Sequence, residues 1–180
     1  FEEAVQRDSA FVEAWVALAT SRLLLVANGR TRDPQLVARA EAAVERVERL
    51  SPGSPQALLA RSAQLRFIAK NYDSARVVME RGARLAPGDF RFASNLGYLL
   101  AQNLGRTTDA AHYLAKAAML DPMRPQVRLI LAQVLAADGR LAEAREAAER
   151  AISSVPGNFR AVSARAEVEL IAGDTAAARA

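Results

Sequence analysis

Residues 121–156 read DPMRPQVRLILAQVLAADGRLAEAREAAERAISSVP, and the punctuation of this stretch decides the fold. Leu131, Ala132 and Leu135 fall on one face of a first helix, Gly139 stops it, and Ala144, Ala148 and Ala151 fall on one face of a second. The layout recurs. Gly105, Gly139 and Gly173 are 34 residues apart, as are Ala110, Ala144 and Ala178, and as are Ala132 and Ala166. A period near 34 with this content predicts stacked helix-turn-helix repeats. The expected fold class is all-α: a right-handed α-solenoid of stacked antiparallel helix pairs.

Working outward from that stretch, Pro52, Pro87, Pro122 and Pro156 stand 35, 35 and 34 residues apart. The two longer steps are absorbed as one extra residue in the turn, near Lys70 and at Leu104. The expected organisation is a single array over 1–180: a partial helix at 1–8, units at about 10–52, 53–87, 88–122 and 123–156, and a partial unit at 157–180. Trp15 to Leu58 is 43 residues, nine more than one repeat, so the first full unit should have longer helices or a looser turn. Its helices are read as about Phe11 to Ala27, stopped by Asn28-Gly29, and Pro34 to Leu50, reached through Arg30 to Arg32 and capped by Asp33. Ser54 and Asp89 are read as caps of later helices. The chain starts at Phe1 without a methionine and stops at Ala180 inside an expected helix, so it reads as a piece of a longer protein.

Small residues keep the helices of each pair close. Ala19, Ser62, Gly97, Ala132 and Ala166 occupy equivalent slots in first helices; Ala40, Ala75, Ala110, Ala144 and Ala178 do so in second helices. Side chains of one carbon or none let helix axes approach toward the near end of the usual range.

Composition narrows the function classes. Hydrophobic residues make up 51% of the chain, yet no run of about 18 apolar residues occurs, which argues against a membrane span. Without cysteine there are no disulfides and no thiolate metal sites, a composition that suits cytoplasm and periplasm alike. Cytoplasmic localisation is the expectation. Net charge is +4, and Lys70 and Lys116 are the only lysines. The arginines are interleaved with acids, as in Glu45 to Arg49, Glu80 to Arg84 and Glu146 to Arg150, which predicts ion-paired, solvated helix faces rather than a nucleic-acid surface.

The residues resemble the tetratricopeptide repeat family over essentially the whole chain. Trp15, Leu18 and Ala19 match the family pattern on a first helix; Leu96, Gly97, Ala110, Leu114, Ala117 and Pro122 match it across a full unit. Departures are Arg22 in place of an aromatic, Arg61 and Arg165 in place of leucine, and Ala148 in place of a bulky residue. A narrower resemblance, carried by the widened first unit and by Ala38 to Ala43, is to the C-terminal repeat regions of bacterial multidomain signalling proteins. In those proteins the array follows a class III adenylate cyclase or a winged-helix activator.

No motif for catalysis, metal or cofactor stands out. His112, the only histidine, has no orienting carboxylate or nucleophile in view and reads as a solvated surface residue. The carboxylates are spread along helix surfaces, and no GxGxxG or GxxxxGK stretch occurs. The chain is therefore read as non-catalytic and free of cofactors.

What the family resemblance implies is a concave groove lined by the first helices, which takes a peptide or partner segment. Carried over, the lining is Leu59, Ala60, Ala63 and Phe67 from the second unit; Arg91, Ser94, Asn95 and Tyr98 from the third; Gln126, Leu129, Ile130 and Gln133 from the fourth; and Arg160, Ser163 and Glu167 from the fifth. The carboxylate clamp that some members use on heat-shock chaperone tails is absent. Only Asn95 matches it, while Leu59, Ala63, Gln126 and Ile130 hold the other slots. The expected function is a protein-protein interaction module. The alternatives are a structural or dimerisation arm of a signalling protein, with self-association through the ends, and, less favoured, an RNA-binding array.

Overall fold

The computed structural model describes residues 1–28, 33–155, 157–174 and 177–179, and the regular structure among them is entirely helical. Gly29, the Arg30 to Arg32 connection, Pro156 and Ala180, all used in reading the sequence, lie outside the described residues. The caps read from sequence form. Asp33 accepts from the Gln35 amide at 2.9 Å, Ser54 from Ala57 at 3.2 Å and Asp89 from Arg91 at 3.0 Å. Asn71 and Asn158 add two more, accepting from Ser74 and Arg160. Each side chain satisfies a first-turn amide that the helix itself leaves without an acceptor.

The chain divides into two compact units, Phe1–Pro87 and Gly88–Ala180. The first holds α1 (Glu2–Arg7), α2 (Val12–Ala27), α3 (Pro34–Leu50), α4 (Pro55–Phe67) and α5 (Tyr72–Leu85). α2 pairs with α3 and α4 with α5; α4 packs on both α2 and α3, and α1 on α2. The extra residues of the first pair lengthen its helices to 16 and 17 residues, against 13 and 14 in the next pair. Its core joins Ala19, Leu23, Ala40, Val44, Val47 and Ala60.

The second unit holds α6 (Phe90–Asn103), α7 (Thr107–Leu120), α8 (Pro125–Ala137), α9 (Leu141–Ser154) and α10 (Phe159–Ile171), followed by a short 3-10 turn at Ala177–Arg179. α6 pairs with α7 and α8 with α9; α8 packs on α7, and α10 on α8 and α9. The fold is an α-solenoid. In the small-residue slots Ala19, Ala132, Ala40, Ala75, Ala110 and Ala144 are fully buried, and Ser62 is buried. Gly97 is the tightest: a Cβ there would lie 2.5 Å from Cγ of Leu114.

The turns show where the extra residue of the 35-residue steps goes. After α8 and α10 the closing amides reach back five residues, Arg140 to the Leu135 carbonyl and Asp174 to Glu169. After α4 and α6 they reach back six, Asn71 to Leu65 and Arg106 to Leu100, each at 2.9 Å. One residue is thus taken up in a wider turn while both helices keep their register. Gly105, Gly139 and Gly173 take positive φ in these turns, and Lys70 takes the same conformation at φ 54°.

One expected surface feature differs. Arg150 and Glu146 pair at 2.5 Å, but Glu80 pairs with Arg76 at 2.7 Å rather than with Arg84, and Glu45 and Arg49 form no ion pair. Arg76 and Glu80 are both largely shielded from water, where a pair holds better than on an open face.

Candidate functional site

In the second unit the first helices α6, α8 and α10 carry most of the residues expected to line a groove, and the structure sorts them by exposure. Gln126, Arg160, Ser163 and Glu167 are exposed; Arg91, Asn95, Tyr98, Ile130 and Gln133 are half-buried. Tyr98 and Ile130 rest on the core of the unit and present only part of their surface. Ser94 and Leu129 are buried: Leu129 packs with Ala151, Ala161 and Ala164, so its side chain serves helix packing and offers nothing to a partner. The amide of Gln133 donates to Glu167 at 2.6 Å, joining the same slot of two successive repeats. Arg91 is held on the Asp89 carboxylate through Nε and Nη2, at 2.9 and 2.6 Å.

In the first unit Leu59 and Ala60 of α4 are buried, and Ala63 and Phe67 pack against the core of α2, α3 and α4. The Arg66 guanidinium lies 5.0 Å from the Phe67 ring centroid. These positions are mainly packing positions.

Electrostatics tie repeats together rather than poise a group for chemistry. Arg145 of α9 makes a bidentate bridge to the buried Glu169 of α10 at 2.7–3.0 Å, and those bonds hold the carboxyl below its ordinary range. Thr107 and Thr108, at the start of α7, both donate to Asp138 Oδ1 at 2.8 Å, lowering that carboxyl likewise. Burial opposes the charge on Asp89, but the Arg91 side chain and amide outweigh it and leave the pKa lowered.

His112 is exposed, with its ring edge-on to Tyr113 at 5.4 Å. Among the described residues no group of three or more His, Cys, Asp or Glu is placed to hold a metal ion, and no helix is long and apolar enough to cross a membrane. Sequence reasoning missed a depression of about 620 Å³ between α7 and α9, floored by Leu131 and Leu135. Ala111, Ala115 and Ala118 line it along one edge of α7, Ala111 and Ala118 being themselves buried in the core of the unit.

Residues 99–159 and 139–180 match the tetratricopeptide repeat family model. No curated protein matches in sequence. Among solved structures, a MamA protein from Desulfovibrio magneticus RS-1 shares the fold with a TM-score of 0.69 at 15% identity, over 93% of this chain and 89% of that one. YrrB, described as a TPR protein with an unusual peptide-binding site, matches with a TM-score of 0.64 at 19% identity, over 99% of this chain and 86% of that one. PilW, a type IV pilus biogenesis factor, matches with a TM-score of 0.71 at 21% identity, over 91% and 72%. At these identities the likenesses speak to the fold, and the tetratricopeptide repeat model matches the C-terminal part of the chain, residues 99–180.

Proposed function

We propose that the chain is a non-catalytic interaction module that takes a peptide or partner segment along the first-helix face of the second unit. One observation carries the reading: polar side chains of Asn95, Gln126, Gln133 and Ser163 are at least partly exposed on three successive first helices, two of which also carry the partly exposed Tyr98 and Ile130. Amides can bond to the backbone of an extended segment, while Tyr98 and Ile130 receive an apolar side chain. YrrB, with its described peptide-binding site, adds a precedent on the same fold. We place the module in the cytoplasm, as the repeat region of a larger bacterial signalling or regulatory protein. An RNA-reading array is less favoured because Arg91, Arg106, Arg124, Arg140, Arg145, Arg150 and Arg165 are each paired with a carboxylate.

Peptides selected by phage display on the full chain test the reading. Tyr98→Ala and the double change Gln126→Ala with Gln133→Ala should each weaken the selected peptides by about tenfold or more. Selected peptides indifferent to all three substitutions would exclude this face. A second reading, a dimerising arm, draws on Phe159, Val162, Leu170 and Ile171 of α10, which are 73%, 53%, 57% and 57% exposed. Sedimentation showing a dimer that Val162→Glu dissolves would favour it.

A further inference from the structure

The turns after α6, α8 and α10 each hold a glycine at positive φ, but the residue ahead of it differs in chemistry. Leu104 precedes Gly105 and Ala172 precedes Gly173, whereas Asp138 precedes Gly139. An aspartate ahead of a glycine is especially open to succinimide formation, because glycine has no Cβ to shield its amide nitrogen. That nitrogen attacks Cγ of the aspartic acid, the carboxyl O–H and the amide proton leave together as water, and a five-membered imide closes. Water then reopens the imide on either side of its nitrogen, giving back aspartate or giving isoaspartate, whose main chain runs through Cβ and is one carbon longer. Here the added carbon would fall inside the closure from the Arg140 amide to the Leu135 carbonyl, a 2.9 Å bond in the turn that joins α8 to α9.

Three features hold Asp138 away from that reaction. Its φ and ψ are −83° and 0°, so the Gly139 nitrogen eclipses the Asp138 nitrogen and lies about a third of a turn away from Cβ. Swinging it round would break the bonds from Gly139 to the Ala136 carbonyl, at 3.0 Å, and from Arg140 to Leu135. The third feature comes from the preceding helix pair. The hydroxyls of Thr107 and Thr108, the first two residues of α7, both donate to Oδ1 of Asp138 at 2.8 Å and fix the carboxyl group. The same two bonds lower its pKa, and the carboxylate is a far poorer electrophile than the neutral acid. Thr107 is half-buried and Thr108 exposed, so neither side chain is needed to fill the core.

We propose that Thr107 and Thr108 guard the Asp138-Gly139 bond against isomerisation, so that the start of α7 protects the turn between α8 and α9. The test incubates the full chain for weeks at 37 °C and pH 6 and measures isoaspartate at position 138 by peptide mapping, with a synthetic peptide of residues 135–143 as the unprotected reference. The folded chain should isomerise at least about tenfold more slowly than the peptide. Thr107→Val with Thr108→Val should speed the folded chain by at least about threefold, and Thr107→Ser with Thr108→Ser, which keeps the hydroxyls, should restore the slow rate. Circular dichroism checks that each variant stays helical; Thr108→Val alone, at the exposed position, should give an intermediate rate and serves as the test should the double valine variant unfold. A folded chain that isomerises as fast as the peptide would overturn the proposal. So would valine variants no faster than the parent, or a serine pair as fast as the valine pair, which would assign the protection to the backbone of the turn alone.

Discussion

Gly97 and Lys70 show how single positions set the tolerances of this chain. A methyl at Gly97 would sit 2.5 Å from Cγ and 2.8 Å from Cδ2 of Leu114, a fully buried side chain with nowhere to retreat. Gly97→Ala gains about 0.5–1 kcal/mol of helix propensity and loses about 1–3 kcal/mol to overpacking. Overpacking wins: the expected net loss is about 1 kcal/mol, measured by urea denaturation. Lys70 presents the opposite case. It holds the left-handed turn conformation that glycine holds at 105, 139 and 173, and nothing in the packing requires its side chain. Lys70→Gly should relieve about 1 kcal/mol of strain net of the added chain entropy, seen as a rise of about 2–4 °C in melting temperature.

Among the helices, ends matter as much as faces. Asn71 caps α5 through the Ser74 amide at 3.0 Å, and Asn71→Ala should cost about 1 kcal/mol, with faster amide exchange in the first turn of α5 as the local readout. The helices themselves were legible in the sequence, because Gly and Pro punctuation and the alanine slots repeat often enough to fix register: α3 runs from Pro34 to Leu50 as read, and α4 and α6 start directly after the caps read at Ser54 and Asp89. The candidate site was less legible. Leu59, Ser94 and Leu129 have the spacing of groove residues, but spacing places a residue on an arc of the helix and does not say how far the neighbouring helix overlaps that arc. The partner of Glu80 escaped for a similar reason, since Arg76 and Arg84 are both one turn away and only packing distinguishes the shielded one.

For the molecule as a whole, acid should be the solvent condition that finds its weak links. Glu2, Asp89, Asp138, Glu143 and Glu169 all have carboxyl pKa values lowered by partners that exist only when the chain is folded. A lowered folded-state pKa contributes stability that is fully present above the unfolded value and lost as pH falls through the folded one. The melting temperature should therefore be level between pH 7 and about pH 5 and decline below about pH 4.5, followed by circular dichroism. A decline already complete at pH 5 would contradict these partners. The five-residue closure after α8, repeated after α10, has a consequence for how such a chain can lengthen. Tandem duplication of the DNA encoding residues 121–154 would insert one more helix pair of 34 residues, with its alanine slots and turn glycine in register with those of its neighbours. Replication slippage by that one interval is thus a mutation the architecture accommodates, whereas slippage by a few codons inside a helix is not.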